Sequence, residues 1–317
     1  MATPPSGTCS VCQAPVLAGV RRCPCCGSGL PGRAADALLR TELQAALGAE
    51  FDVRERIARG GTATVFRARQ RRLDRWVALK VQHPGRHDGA VARARFLHGV
   101  LVLAHLDHPH VIPLYETPEC GERGCMVMPL VPESVASVLL AEGRFAPREA
   151  ARILLELALA LDHVHGADLL HRDIKPQHVL LEGPARHVRL IDFSLARVAG
   201  PEAGSGVGKG EVVGTPAYMS PEQAEGCADL DERSDIYSLG VVGYQLLTGM
   251  VPFEGTAEQQ LEAHRTRRTQ NPTSRFRDIP GELGEVVMRC LAKLPQHRFA
   301  SAVEVAEALV HFVPATA

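Results

Sequence analysis

The periodicity of the apolar residues changes character along this chain, and that change limits the fold more than any other feature. Residues 1 to 30 are rich in Cys, Gly and Pro with little periodic hydrophobicity, so they cannot build a core alone. Leu38, Leu39, Leu43 and Leu47 recur at helical spacing between Arg33 and Leu47, and Gly48 closes the run, which predicts a connecting helix within residues 31 to 50. From Phe51 short strand-like runs follow, with a Gly-rich turn, a run from Trp76 to Val81 and a helical stretch from Val91 to Leu106. Beyond Pro132 the pattern is mostly helical. Pro147 to His165 places Ile153, Leu154, Leu157 and Leu161 on one face, and Ser234 to Leu247 is apolar on nearly every side, as a buried helix is. The expectation is an α+β chain with a small β-rich lobe carrying one helix, about residues 51 to 130, and a larger α-helical lobe, about residues 131 to 313.

With 317 residues and 45% apolar content the chain can bury a large core, and its length suits one two-lobed domain plus a small appendage. A net charge of -1 gives no general field for nucleic acid or anionic membrane, and Arg265-Thr-Arg-Arg268 reads as a solvated helix end. No apolar run has the length of a membrane span, and Met1 to Gly7 lacks the charged and apolar regions of a signal peptide. These features predict a soluble, cytoplasmic protein with neither nucleic acid nor membrane as partner.

Five of the nine cysteines precede residue 27, which points to a local metal site in a reducing compartment rather than a disulfide framework. Cys9-Ser-Val-Cys12 and Cys23-Pro-Cys-Cys-Gly27 place two Cys-x-x-Cys knuckles a short loop apart, so that Cys9, Cys12, Cys23 and Cys26 can converge on Zn²⁺, with Cys25 as a spare. The competing reading is a tail with reactive thiols. The spacing is similar to that of a zinc ribbon, and a closed four-cysteine site is structural rather than catalytic. Such a ribbon suits a docking role toward a protein partner that its sequence does not name.

Two polar runs carry chemistry. His171-Arg-Asp-Ile-Lys-Pro-Gln-His-Val-Leu180, followed by Asp192-Phe-Ser194, resembles the catalytic loop and metal-binding motif of the protein kinases. The resemblance extends from Phe51 to about Phe312, because further motifs occur in the family's order: Ile57-Ala-Arg-Gly-Gly-Thr-Ala-Thr-Val65 at the Gly-rich loop, Val77-Ala-Leu-Lys80 at the nucleotide-binding lysine, and Gly214-Thr-Pro-Ala-Tyr-Met-Ser-Pro-Glu222 at the substrate-receiving segment. It implies a bilobal protein kinase-like fold, ATP with Mg²⁺ or Mn²⁺ as cofactors, and a protein substrate. Asp173 would orient the acceptor hydroxyl, Lys175 and Lys80 would neutralise phosphate charge, and Asp192 would hold a metal. Lys175, two residues beyond Asp173, matches serine/threonine kinases, and the motif style looks bacterial. Ala58, Gly60 and Gly61 would lie over the phosphates. Val65, Ala78, Met128 and Leu180 would wall the adenine slot, with Met128 as gatekeeper, and the Val131 N–H would donate to the ring. Thr215 would hydrogen-bond near Asp173 and Lys175, Glu222 and Arg298 would form an ion pair, and Asp235 would brace the catalytic-loop backbone.

The sequence also departs from the family's pattern. The position of the metal-binding Asn holds His178, which would place an imidazole beside Asp192 at the nucleotide-associated metal and suits Mn²⁺ better than Mg²⁺. Ser194 replaces a glycine, and Ala58 and Ala63 replace two glycines of the loop. The glutamate that normally pairs the lysine is Gly99, with no carboxylate between Asp88 and Asp107, which leaves Asp192 as an alternative partner for Lys80. Two functions follow as expectations: a serine/threonine kinase with weak or atypical metal dependence, or a pseudokinase, a nucleotide-binding scaffold with little or no phosphotransfer.

Overall fold

Leucines spaced four apart make a single stripe on a helix, and in this chain the stripe at 39, 43 and 47 decides where the first helix goes. The computed structural model describes residues 7–8, 15–16, 33–60, 63–83, 89–121, 123–198 and 214–313. A short antiparallel pair comes first, β1 (Gly7–Thr8) against β2 (Pro15–Val16). Helix α1 (Arg33–Leu47) then packs Leu39, Leu43 and Leu47 against the antiparallel strands β3 (Phe51–Arg59), β4 (Ala63–Gln70) and β5 (Arg75–Gln82). The helix expected as a connector is therefore one layer of a core. Leu38 lies about 100° around the helix from Leu39, and it is exposed.

Helix α2 (Gly89–His105) and strand β6 (Cys125–Pro129) follow, and the sheet order is β3-β4-β5-β6. Successive strand residues face opposite sides, so Val77, Leu79 and Val81 of β5 pack with Phe66, Phe51 and Val127 under α1, while Ala78 and Lys80 take the other face. At the sheet's edge, Gln44 of α1 donates to the Phe51 carbonyl (3.3 Å) and accepts from the Val53 N–H (2.8 Å), satisfying backbone that no strand pairs. Cys120 and Cys125 form a disulfide with Cα atoms 6.5 Å apart. No motif spacing announces this pair, and a bridge that sets Cys120 opposite Arg123 folds the chain back between the two residues.

The second compact unit comprises His105–Ile112 and the described residues from Val131 onward. Strand β7 (Glu133–Ser134) ends at Ser134, whose hydroxyl caps α3 (Val135–Glu142) by accepting from the Ser137 N–H. Helix α4 (Pro147–His165) begins with proline at a position where a missing N–H costs nothing, and it has the bounds that periodicity predicts. Four short strands follow: β8 (Leu169–Leu170), β9 (Val179–Glu182), β10 (His187–Leu190) and β11 (Arg197–Val198). They pair as β10-β9-β7 and β11-β8.

The remaining helices are α5 (Pro221–Ala224), α6 (Glu232–Thr248), α7 (Ala257–Thr266), α8 (Gly281–Cys290) and α9 (Ala302–Leu309). Asp231 caps α6 and Gly249, at φ 75°, ends it, so the helix outruns the expected Ser234 to Leu247 at both ends. A Cβ on Gly243 would sit 3.0 Å from Leu154 of α4 and 3.1 Å from Val287 of α8, so the bare backbone is what lets the three helices approach closely. Among the described residues no helix is long and apolar enough to cross a membrane.

Arg298 has a fully buried guanidinium, held by both oxygens of Glu222 (2.7 and 2.9 Å) and by the carbonyls of Ala292, Lys293 and Arg233. Burial would raise the Glu222 carboxyl, but Arg298 and the Ser234 hydroxyl outweigh it and hold it below the usual carboxylate range. A depressed folded pKa contributes stability above the unfolded pKa and loses it as pH falls through the folded value. Glu222→Ala should therefore cost about 3–5 kcal/mol in urea denaturation at neutral pH, because it strands a buried cation, and the deficit against wild type should shrink on acidification. A cost under about 1 kcal/mol would show the pair to be dispensable.

Candidate active site

In an antiparallel ladder, residues directly opposite share a face. Ala58 lies opposite Val65, Val65 opposite Lys80, and Ala78 opposite Met128. Alternation then gathers Ala58, Val65, Lys80, Ala78 and Met128 on the face of the sheet away from α1. Met128 and Ala78 are buried, Val65 and Lys80 half-buried, and Ala58 exposed. The Gly60 N–H closes the turn onto the Ala63 carbonyl at 2.8 Å. Gly61 lies outside the described residues. Gly99 sits within α2 and is buried, so the helix persists through it without offering a side chain to the lysine.

The second unit organises its residues around one carboxylate. Asp235, buried in α6, accepts the N–H of His171 at Oδ2 and that of Arg172 at Oδ1, both at 2.8 Å, and lies 3.0 Å from His165 Nε2. These contacts hold Arg172 at φ 66°, a left-handed conformation that side chains rarely adopt unaided. His171 Nε2 donates to the Ile191 carbonyl (3.0 Å), and its ring packs edge-on against Phe193 at 4.9 Å, fixing the segment that carries Asp192, itself at φ 70°.

Asp173, Lys175 and Thr215 form a closed triangle. Lys175 Nζ donates to Asp173 Oδ2 (2.7 Å) and to Thr215 Oγ1 (2.8 Å), and the Thr215 hydroxyl donates to Asp173 Oδ1 (3.1 Å). Burial opposes ionisation of Asp173, while His178 and Lys175 act the other way and leave its carboxyl below the usual range. His178 is itself pushed down to about 4, by burial and then by Lys175. It is therefore neutral at pH 7, and Lys175 is the charged partner of Asp173.

The tautomer of His178 follows from its neighbours. Nδ1 lies 2.9 Å from the Asp173 carbonyl oxygen, which can only accept, so Nδ1 carries the hydrogen. The lone pair on Nε2 then faces Asp192 Oδ2 at 3.4 Å. One nitrogen and one carboxylate oxygen at this separation could together hold a divalent cation.

The second unit also holds Val131, which is buried, and Leu180 on β9, which is half-buried, as is Ser194 in the turn Phe193–Leu195. Cys9, Cys12, Cys23 and Cys26 all lie outside the described residues. Some supports are invisible in sequence. Gln223 Nε2 donates to the Arg172 carbonyl (3.1 Å). His264 Nε2 donates to the Ala217 carbonyl (3.0 Å) and its Nδ1 accepts from the Tyr237 hydroxyl (2.8 Å), while Lys293 donates to the His264 carbonyl (2.7 Å). Burial and Arg298 lower Lys293 to about 8, and burial with Lys293 lowers His264 to about 4. Ala217, His264 and Lys293 are far apart in the chain, and no local spacing links them.

A β-sheet unit bearing a buried-strand lysine and a helical unit bearing this loop define the class. The protein kinase domain family matches residues 51–311, and the chain belongs to that family. It is similar to serine/threonine-protein kinase pkn2 of Myxococcus xanthus, 36% identical over 269 residues, which cover 83% of this chain and 32% of that protein. Serine/threonine-protein kinase PknB of Mycolicibacterium smegmatis is 34% identical over 270 residues, 83% of this chain and 43% of its own length. Serine/threonine-protein kinase PknL of Mycobacterium tuberculosis is 34% identical over 261 residues, 82% of this chain and 64% of its own length. The chain thus spans about a third to two thirds of the length of these relatives.

The neutral Nδ1–H form of His178 should show in nitrogen-15 spectra as a resonance, absent from His178→Asn, that does not titrate between about pH 5 and 8. A transition centred near the ordinary histidine value, about 6.5, would refute the assignment.

Proposed function

We propose that the chain is a serine/threonine protein kinase that transfers the γ-phosphate of ATP to the hydroxyl of a protein Ser or Thr. The observation that carries this reading is the triangle of Asp173, Lys175 and Thr215, with Lys175 Nζ 2.7 Å from the carboxylate. Asp173, ionised and oriented, accepts the hydrogen bond of the incoming hydroxyl and its proton as the phosphate moves. Lys175 offsets the negative charge gathering on the phosphoryl oxygens, with Lys80 pairing the α- and β-phosphates. The Thr215 hydroxyl holds both side chains in place before substrate arrives. The face formed by Ala58, Val65, Ala78 and Met128 suits a flat heterocycle, as do Val131, through its N–H, and Leu180.

Asp192 and His178 would hold the nucleotide-associated divalent ion, which when bound neutralises phosphate charge. An imidazole nitrogen is a poorer ligand than an amide oxygen for Mg²⁺ and an acceptable one for Mn²⁺, so this donor pair favours manganese. Phosphoryl transfer depends on positioning and electrostatics, both of which the triangle supplies, and this favours an active enzyme over a scaffold. The spacing of the two Cys-x-x-Cys knuckles supports a structural Zn²⁺ on Cys9, Cys12, Cys23 and Cys26. The ribbon so formed would present a surface to a protein partner. The cluster of thiolate ligands suits a reducing compartment such as the cytoplasm, and the Cys120–Cys125 disulfide counts against it.

Radiolabelled phosphate transfer to a generic protein acceptor is expected with wild type, more with Mn²⁺ than with Mg²⁺, and reduced about 10²- to 10⁴-fold in Asp173→Asn. His178→Asn should shift the preference toward Mg²⁺. A wild type that binds ATP but transfers no more phosphate than Asp173→Asn would replace this reading with a pseudokinase.

Elemental analysis of protein purified without added metal should find about one zinc per chain, lost in the Cys9→Ser/Cys23→Ser double variant. Zinc below about half an equivalent, unchanged by that variant, would remove the ribbon.

A further inference from the structure

Strand β3 changes character at its midpoint. Phe51 and Val53 are buried under α1, but Arg54, Glu55, Arg56, Ile57 and Ala58 are exposed, so apolar packing does not fix the half that leads into Gly60. The ladder is also irregular there, with register shifts between Val53 and Arg56 and between Arg56 and Ala58. Arg56 lies opposite Phe66, Ala58 opposite Val65 and Arg59 opposite Thr64, which makes Ile57 an extra residue, a bulge. In an unbroken strand, positions 56 and 59 point to opposite faces. The bulge puts both on the face of Phe66 and Thr64, toward α1.

There they meet one carboxylate. Asp36, in the first turn of α1, is buried, with Oδ1 2.5 Å from Arg59 Nη1 and Oδ2 bonded to Arg56 Nη1. Two charge-assisted contacts on opposite sides of the bulge fix both the rotation and the height of the strand end, which neither contact alone would do. Arg59 immediately precedes Gly60, whose N–H closes the turn at the start of β4. Asp36 and α1 lie outside the residues 51–311 that match the kinase family.

We propose that Asp36 is a positioning residue for nucleotide binding, setting the strand end at Arg59 and Gly60 through Arg56 and Arg59. This rests on the reading of the Lys80 face as the nucleotide site. Losing the carboxylate lets the exposed half of β3 swing while α1 stays packed through Leu39, Leu43 and Leu47. The phosphates then meet a strand end at Arg59 and Gly60 that must be brought back into place on binding, which weakens ATP affinity and leaves the triangle of the other unit untouched.

The test compares wild type, Asp36→Asn, Arg59→Gln and the double variant, with MnATP and MgATP as probes. Asp36→Asn should raise the KM and Kd for ATP at least about threefold with kcat within about twofold, and should speed amide exchange over residues 54 to 60. Arg59→Gln should act in the same direction, and the double variant should be no worse than Asp36→Asn, because Asp36→Asn already removes the Arg59 contact together with the Arg56 one. Asparagine matches aspartate in shape, which keeps the helix packed. A lowered melting temperature with unchanged KM, Kd and exchange, or strictly additive effects, would make Asp36 a packing residue only. A wild type that binds no ATP would instead overturn the nucleotide reading and this inference with it.

Discussion

The active-site geometry hangs on the carboxylate of Asp235. A buried charge is costly unless its lone pairs are filled, and here the N–H groups of His171 and Arg172 and the imidazole of His165 fill them. Burial works to raise the carboxyl, yet His165 and the backbone donors hold it ionised. The consequence is mechanical. Two consecutive N–H groups that must point at one carboxylate force Arg172 into a left-handed conformation, and that bend aims Asp173 at Lys175 and Thr215. His171, held by the same carboxylate, carries the constraint on to the Ile191 carbonyl and so to Asp192.

The sheet of the first unit solves a different problem, that of presenting a charged lysine from a strand that must also be buried. Alternation does this: Val77, Leu79 and Val81 are sealed under α1, and Lys80 emerges between them on the opposite face. Lys80 is thus held by a rigid strand.

Much of this was legible in the sequence, for physical reasons. Helix α4 was readable to the residue because Pro147 starts it and four leucine-type positions share one face, all buried as expected. Asp173, Lys175, Thr215, Asp235 and the Glu222–Arg298 pair were readable because backbone-bound motifs keep their spacing. What the sequence concealed depends on contact between distant segments. The packing of α1 needs the sheet's outer face, the His264–Ala217 link joins α7 to a turn 47 residues away, and the disulfide needs a hairpin between its cysteines. The tautomer of His178 depends on a carbonyl five residues back, which no motif records.

The layer formed by α1 also bears on where this domain begins as a unit of folding. Family similarity starts at residue 51, yet Phe51, Phe66, Leu79 and Val127 are each no more than 1% exposed, because a helix ending at Leu47 lies over them. A fragment cut at the similarity boundary would carry its whole sequence signature and still present a wet apolar sheet, with the Gln44 cap gone from an edge strand ready to pair with a neighbour. Homology marks the extent of shared chemistry, whereas the buried core of this sheet belongs to a longer segment that starts at α1.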